Sequence, residues 1–291
     1  MIVVIVGPTG VGKSSLAIKA AKDINGVIIN GDAFQSYKEM DIGTAKPTLK
    51  ERSEVPHYLF DYVNPDESFT IFEYQENLRK TLEELKDRKI IIVGGSGLYL
   101  KSALYDFTLT REVSTVDLSE YEKLDNDELY AKLVELDEEG ASKIHKNNRR
   151  RVLRAIEICL TNGKKKSEIE NAQEHKPLYD VKFIGLTKDR ETLYDLINKR
   201  VDIMFDEGLE DEVKSLMNKY PHSLRSFQAI GYKELIEAYD NNLPIEEAKN
   251  KIKQLSRNYA KRQFTYFNHQ LPVQWFEDKN EAYNYIISLF K

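Results

Sequence analysis

The 291-residue chain is poor in cysteine and has no long apolar run. Its single thiol, Cys159, can close no internal disulfide and build no cysteine-based metal cluster, so a reducing compartment is expected, and with it the cytoplasm. Cys159 lies in an apolar helical stretch and reads as core, not as a nucleophile. No apolar run approaches the ~18 residues that a membrane span needs, so no membrane is expected among the partners. The apolar start, Met1 to Val6, is short, lacks a basic leader and runs straight into a motif, so it reads as a strand and not as a signal peptide. Positive charge is also scarce on average: the net charge of −5 argues against a nucleic-acid binder, unless the cations are clustered. A monomer is the expected state.

Apolar residues make up 41% of the chain and charged residues 31%, which predicts a folded core and not disorder. Apolar, β-branched runs at 2–6, 27–29 and 90–93 suit strands buried on both faces. The second ends at Asp32 and the third in Gly94-Gly95. Helical stretches at 14–22 and 68–87 separate them. From 108 to 177 strand signals vanish and charged helical stretches take over. A strand returns at 183–186, followed by three helices near 189–219, 226–240 and 245–268. Residues 271–276 read as an edge strand, because Pro272 has no amide hydrogen for a central ladder, and a closing helix begins near 279. The expected fold is therefore α/β, a P-loop NTPase-like parallel sheet flanked by helices. The core domain covers 1–107 and 178–291, and a helical insertion domain covers 108–177.

Gly7-Pro8-Thr9-Gly10-Val11-Gly12-Lys13-Ser14 fits G-x-x-x-x-G-K-[ST] between a buried strand and a helix, the context that the motif requires. Glycines let the backbone wrap an anion, and successive amides and the helix N-terminus then point at its oxygens. Lys13 adds a mobile charge, and the Ser14 hydroxyl can hold Mg²⁺. The motif identifies a di- or triphosphate, not a reaction. An ATPase or kinase would carry an acid at the end of a second apolar strand, but the run at 90–93 ends in two glycines. Asp32, at a strand tip beside the P-loop, suits a general base, a metal holder or merely a turn.

Two segments concentrate cations. Lys143, Lys146, Arg149, Arg150, Arg151 and Arg154 come with no acid between them. From Ala248 to Phe276, Lys249, Lys251, Lys253, Arg257, Lys261 and Arg262 again come without an acid. Lys249, Lys253, Arg257 and Lys261 step by four along one helix face, with Tyr259, Phe264, Tyr266 and Phe267 nearby. Cations beside aromatics suit RNA, whose phosphates pair with the cations and whose unpaired bases stack on rings. A solvated helix face is the alternative.

These segments together resemble the bacterial tRNA dimethylallyltransferase family. The matching blocks are Gly7 to Ser14; Asp32 to Tyr37 leading into Met40-Asp41-Ile42-Gly43-Thr44-Ala45-Lys46-Pro47; and Gly94-Gly95-Ser96-Gly97-Leu98-Tyr99. They continue with His145 to Asn148 and on to Glu157, Arg200 with Met204, Gly208-Leu209, Glu212-Val213, Ile230 to Lys233, and Lys261 to Thr265. The resemblance implies transfer of a dimethylallyl group from dimethylallyl diphosphate to N6 of adenosine 37 in tRNA, with Mg²⁺ as cofactor and the anticodon stem-loop as partner. It implies that Asp32 takes the N6 proton, that Arg200 is a second clamp on the diphosphate, and that Ser96 holds the reacting groups through its hydroxyl. It puts Asp32, Ala33, Phe34, Gln35, Ser96, Arg150, Arg151, Arg154, Arg257, Lys261, Arg262 and Gln263 on the tRNA. The chain departs from the family at Ala33, where a serine is usual, and at Ser96, where a threonine is usual. It departs again at Tyr266 and Asn268, which stand for a tryptophan and an arginine. An arginine that the family sets after the Gly-Gly block has no match, with Arg111 and Lys123 the candidates to replace it.

Overall fold

Strands form where the apolar runs alternate sides: Ile2–Val6 (β1), Val27–Asn30 (β2), His57–Tyr58 (β3), Ile90–Val93 (β4), Val181–Leu186 (β5) and Val273–Phe276 (β6). The computed structural model describes residues 1–107, 109 and 116–291. Its helices are, in chain order, Lys13–Ile24 (α1), Leu49–Glu54 (α2), Ile71–Glu84 (α3), Gly97–Leu104 (α4), Ser119–Lys123 (α5), Asn126–Leu136 (α6), Glu138–Ser142 (α7), Arg149–Asn162 (α8), Lys166–Asn171 (α9), Arg190–Asp206 (α10), Leu209–Lys219 (α11), Tyr232–Asp240 (α12), Ile245–Gln270 (α13) and Lys279–Leu289 (α14). Two units emerge: Met1–Tyr105 with Pro177–Lys291, and Asp106–Lys176. The expected boundary residue Thr108 and the candidate Arg111 lie outside the described residues.

In the first unit the described strands form one parallel sheet in the order β3-β2-β4-β1-β5-β6. Alternation splits its side chains between two cores. Ile2, Val4, Val6, Ile29, Ile90 and Ile92 join one; Val3, Ile5, Ile28, Ile91, Val93 and Ile184 join the other. Each such side chain contributes roughly 1.5–3 kcal/mol when buried. The sheet is thus the rigid frame that places the loops at its carboxyl edge, where ligands bind in such folds. β6 is an edge strand, and it runs parallel to β5 with Val273 opposite Phe183.

The sequence reading missed three elements here: β3, α2 and α4. It also took 189–219 as one helix. Gly208, at φ 98°, breaks that stretch into α10 and α11, a left-handed turn that side chains resist. The stretch 226–240 likewise begins as a 3₁₀ turn over Ser226–Gln228, and Gly231 (φ 102°) separates it from α12.

The described residues of the second unit contain α5 to α9. Leu129, Leu133, Ala141, Val152, Ala155 and Ile156 form its own apolar core, with Cys159 buried on the same face of α8. Asp137 is fully buried there, accepting from the Gly140 amide (2.9 Å), the Ser167 amide (2.8 Å) and the Ser167 hydroxyl (2.6 Å). It ties α7 to α9. Among the described residues no helix is long and apolar enough to cross a membrane.

Candidate active site

β1 delivers the phosphate loop to the carboxyl edge of the sheet. Gly7 has φ 136°, and a Cβ there would meet the Leu186 carbonyl oxygen at 2.4 Å, so only glycine leaves the strand at this angle. Gly10 and Gly12 also take positive φ. Val11 packs with Leu193, Ile197 and Ala260, which pins the loop to α10 and α13. Lys13 Nζ donates to the Pro8 carbonyl at 2.7 Å, drawing the loop toward its own cation. Burial pushes Lys13 down to about 7; the Arg200 charge adds to this, and Asp32 opposes it. An anion in the loop would reverse the shift, because it replaces the lost hydration of the ammonium. The Ser14 hydroxyl, in the first turn of α1, bonds to no described residue. It fits Mg²⁺, which takes few protein ligands and completes its shell with phosphate oxygens and water.

Asp32 stands two residues beyond β2. Asn30 shapes this turn: its Oδ1 accepts from the Asp32 amide (2.8 Å), while its Nδ2 donates to the carbonyls of Asp32 (2.8 Å) and Leu59 (2.9 Å). The Phe34 amide donates to Asp32 Oδ1 at 3.0 Å. Burial lifts the Asp32 carboxyl above the ordinary carboxylate range; the Phe34 and Gln35 amides and the charges of Lys13 and Arg200 pull against this. Arg200 projects from α10, three residues after Ile197, which lines the phosphate loop at Gly10. Burial lowers its affinity for a proton, against the attraction of Asp32 and Glu207. Its Nε is buried and bonds to no described residue. A raised carboxyl, a depressed ammonium and a guanidinium with an unused donor thus perturb one another in one place, a pattern typical of sites of chemistry.

Ser96 closes the same site from the β4–α4 turn. Its Oγ accepts from the Ala33 amide at 3.1 Å, which ties the Gly-Gly block to the Asp32 turn. The two glycines are there for closeness. A Cβ at Gly94 would sit 2.0 Å from Gly31, and one at Gly95 would sit 2.1 Å from Gln263 Nε2 and 3.6 Å from Asp32 Oδ2. That leaves no room at the end of β4 for the acid of a phosphoryl-transferring ATPase. Gln263, from α13, is buried and donates to the Gly95 carbonyl at 3.0 Å. One turn earlier on α13, the Tyr259 hydroxyl lies beside Ser96 and Gln263; burial pushes it up, and the Asp32 charge pushes it further. The sequence reading put Tyr259 among rings for stacking RNA. Its four-residue spacing from Gln263 was the signal for the site.

The Asp41-Ile42-Gly43-Thr44 block is a brace. Glu212, from α11, accepts from the amides of Asp41 (3.0 Å), Ile42 (2.8 Å) and Gly43 (3.2 Å) and from the Tyr232 hydroxyl (2.5 Å). Gly43 lies against the Tyr232 ring, where a Cβ would clash at 2.4 Å. Lys46 is buried and donates to the Tyr37 carbonyl (2.7 Å), to Asp41 (2.5 Å) and to Asp61. Gln35 spans this brace and the Asp32 turn, its Nε2 donating to the carbonyls of Thr44 (3.0 Å) and Ala45 (3.2 Å). Phe34, beside it, packs on the sheet's core.

The basic segments are less free than their sequence suggests. Lys249 and Lys253 both pair with Asp202 of α10, at 2.8 and 2.7 Å. Lys251 pairs with Glu237 at 2.8 Å, and Arg257 donates to Asn198 at 2.5 Å. The acids missing from the segment are supplied by neighbouring helices, so three members of the four-residue stripe face α10. Arg257 and Lys253 line an open groove of about 630 Å³ there. Lys261 is exposed with no described partner, and Arg262 lies over the Tyr259 ring, 5.6 Å from its centre. In the second unit, Lys143 pairs with Glu139, Lys146 with Asp127, and Arg154 with Glu157, at 2.8, 2.6 and 2.7 Å. Arg149 caps the carbonyls of Leu124 (2.7 Å) and Glu122 (2.6 Å). Arg150 and Arg151 remain exposed, with no described acid on either.

The structure therefore gathers Lys13, Asp32, Ser96, Arg200 and Gln263 in the first unit, and places Arg150, Arg151 and Arg154 in the second. Comparison with known proteins adds the following. The family model described as IPP transferase matches residues 35–270. A tRNA dimethylallyltransferase of Bacillus cereus is 49% identical over 283 residues, covering 95% of this chain and 89% of that protein. One of Bacillus anthracis is 48% identical over 283 residues, covering 95% and 90%. Among solved structures, a tRNA isopentenylpyrophosphate transferase of Staphylococcus epidermidis superposes with a TM-score of 0.73 at 41% identity, covering 99% of this chain and 97% of that one. A eukaryotic dimethylallyltransferase acting on tRNA gives 0.81 at 31% identity, covering 96% and 75%.

Proposed function

Since the chain belongs to the IPP transferase family, we propose that it transfers a dimethylallyl group from dimethylallyl diphosphate to N6 of adenosine 37 in tRNA, yielding N6-(dimethylallyl)adenosine and diphosphate. Its activity is that of a tRNA prenyltransferase. The observation that supports the proposed chemistry best is the buried trio in which Asp32 lies within electrostatic reach of both Lys13 and the unused Nε of Arg200.

The phosphate loop and Lys13 take the diphosphate, and Arg200 turns its free Nε–H to the same anion. As the allylic C–O bond breaks, negative charge grows on diphosphate oxygens already facing these donors, so they stabilise the transition state more than the ground state. N6 attacks the allylic carbon while Asp32 accepts a proton from it. A carboxyl lifted by burial is a better match for that proton than an ordinary one. Ser96, fixed on the Ala33 amide, lies between the Asp32 turn and α13 and holds the reacting groups. The Ser14 hydroxyl would hold Mg²⁺, which would supply further charge neutralisation when bound.

The target adenosine leaves its stack in the anticodon loop to reach a buried carboxylate. Lys261 in the first unit, and Arg150 and Arg151 in the second, are exposed cations that suit RNA phosphates. The chain works as a monomer in the cytoplasm on this reading.

Incubation with Mg²⁺, dimethylallyl diphosphate and an unmodified tRNA with adenosine at position 37, followed by mass analysis of digested nucleosides, tests it. One dimethylallyl group is expected on that adenosine. Hydrolysis of ATP with unmodified tRNA would instead indicate a kinase-like enzyme.

A further inference from the structure

Gln263 is 5% exposed, and its Oε1 accepts no hydrogen bond from the described residues. The amide cannot simply turn over, because Nε2 donates to the Gly95 carbonyl at 3.0 Å and the flipped group would set two oxygens against each other. Buried acceptors are rarely left empty, since they lose water without gaining a replacement. The Tyr259 hydroxyl lies beside the amide but makes no hydrogen bond to Oε1, so this acceptor is left for a donor that the described chain does not supply. The position of this amide says which one. Gln263 Nε2 and Asp32 Oδ2 flank the same glycine, at 2.1 and 3.6 Å from where a Cβ of Gly95 would stand. The Gln263 side chain thus stands on the wall that also carries Asp32.

An exocyclic amine carries two hydrogens, and Asp32 removes one. Resting on the prenyl-transfer reading above, we propose that Gln263 Oε1 accepts the other, which makes Gln263 a substrate-contacting residue that limits the enzyme to a single transfer onto a primary amine. In this step the N6–C1 bond forms, and the C1–O bond breaks with its electron pair leaving on the diphosphate. One N6 proton passes to Asp32, and the second stays on N6, held by Gln263. The product keeps only that second hydrogen, so nothing faces Asp32 for another round. A substrate already methylated on N6 is excluded by the same logic. Either its methyl group meets Gln263 or its only hydrogen does, and in the second case Asp32 has no proton to take.

The test compares tRNA bearing adenosine at position 37 with the same tRNA bearing N6-methyladenosine there. Wild type is expected to prenylate the first once and leave the second unchanged. Turnover of the methylated tRNA by wild type overturns the proposal without any variant. Gln263→Leu removes the acceptor at similar size and should lower kcat on adenosine about 10- to 100-fold, with KM for both substrates changed less than about threefold. Gln263→Ala opens space and should form N6-methyl-N6-dimethylallyladenosine. If instead both variants lose only melting temperature and KM, and both still reject the methylated tRNA, Gln263 is a brace for Gly95 and the proposal falls. Failure of wild type on unmodified adenosine would strike the prenyl-transfer reading itself.

Discussion

Replacing Arg200 with methionine keeps much of the stem and removes the guanidinium. Two effects on the ligand-free protein oppose each other. The buried Nε makes no hydrogen bond to the described residues, and an orphaned donor costs about 1–3 kcal/mol, so its removal is a relief. Asp32, however, loses one of the two cations that counter its burial. The melting temperature of the free protein should therefore move by no more than about 4 °C, the equivalent of ~1 kcal/mol in a chain of this size. Binding of diphosphate has no such cancellation. A charge-assisted hydrogen bond to an anion is worth about 1.5–3 kcal/mol, or roughly 10- to 150-fold in Kd. Inorganic pyrophosphate at 100 times the wild-type Kd stabilises wild type by about 2.7 kcal/mol; a variant that binds 100-fold more weakly gains only about 0.4 kcal/mol. Thermal melting with and without pyrophosphate reads this difference directly. A pH signature should accompany it. Arg200 helps hold Lys13 down near 7, so in the variant Lys13 rises and is more fully charged at pH 8 than in wild type. The binding defect should be smaller at pH 8 than at pH 6. An undiminished pyrophosphate shift in Arg200→Met would refute the clamp.

Asp32→Asn keeps the bond from the Phe34 amide but cannot take a proton, so kcat should fall about 10²- to 10⁴-fold while pyrophosphate still binds. In wild type, kcat/KM should drop as pH falls through the Asp32 pKa, which lies above the usual carboxylate value; an unchanged acid limb in residual Asp32→Asn activity would assign that limb to another group. Glu212→Gln removes the charge that gathers three amides and the Tyr232 hydroxyl, and should lower the melting temperature by roughly 3–8 °C; a shift under a degree would make the brace dispensable. Lys261→Glu should weaken tRNA binding and flatten its dependence on log salt by about one unit. Lys253→Glu, which reverses a cation already paired with Asp202, should act mainly on melting temperature. Equal losses of tRNA affinity in the two variants would return the whole stripe to the RNA.

How far the sequence is legible depends on the range of the interaction being read. β1 and the phosphate loop could be found because strand, glycines and helix are adjacent in the chain, each reinforcing the next. Asp32 was marked by its place at a strand tip, which is a consequence of chain direction alone. β3 escaped because two residues carry no periodicity, and Gly208 escaped because a glycine's φ cannot be seen in a helical pattern. The site was harder still. Tyr259 and Gln263 sit in a segment whose cations dominate its composition, and only the approach of α13 to Gly95 turns that face toward Asp32.

Charge runs were the least legible feature, for a reason that is general. An absence of acids within a segment says nothing about acids on the helix packed against it. Asp202 lies 47 positions before Lys249 in the chain, yet it neutralises both Lys249 and Lys253. Among the described residues of the two basic segments, the informative cations are those that tertiary contacts leave over: Arg150, Arg151 and Lys261. Gly94 and Gly95 teach the converse. An expected acid was missing at the end of β4, and the sequence could register only the gap. The fold shows why it must be missing, since Gly31 and Gln263 occupy the space that a side chain would need. Closing that space sets the Gln263 amide and the Asp32 carboxylate around Gly95. On the proposed function, the missing NTPase acid and the alkylation site follow from the same close packing.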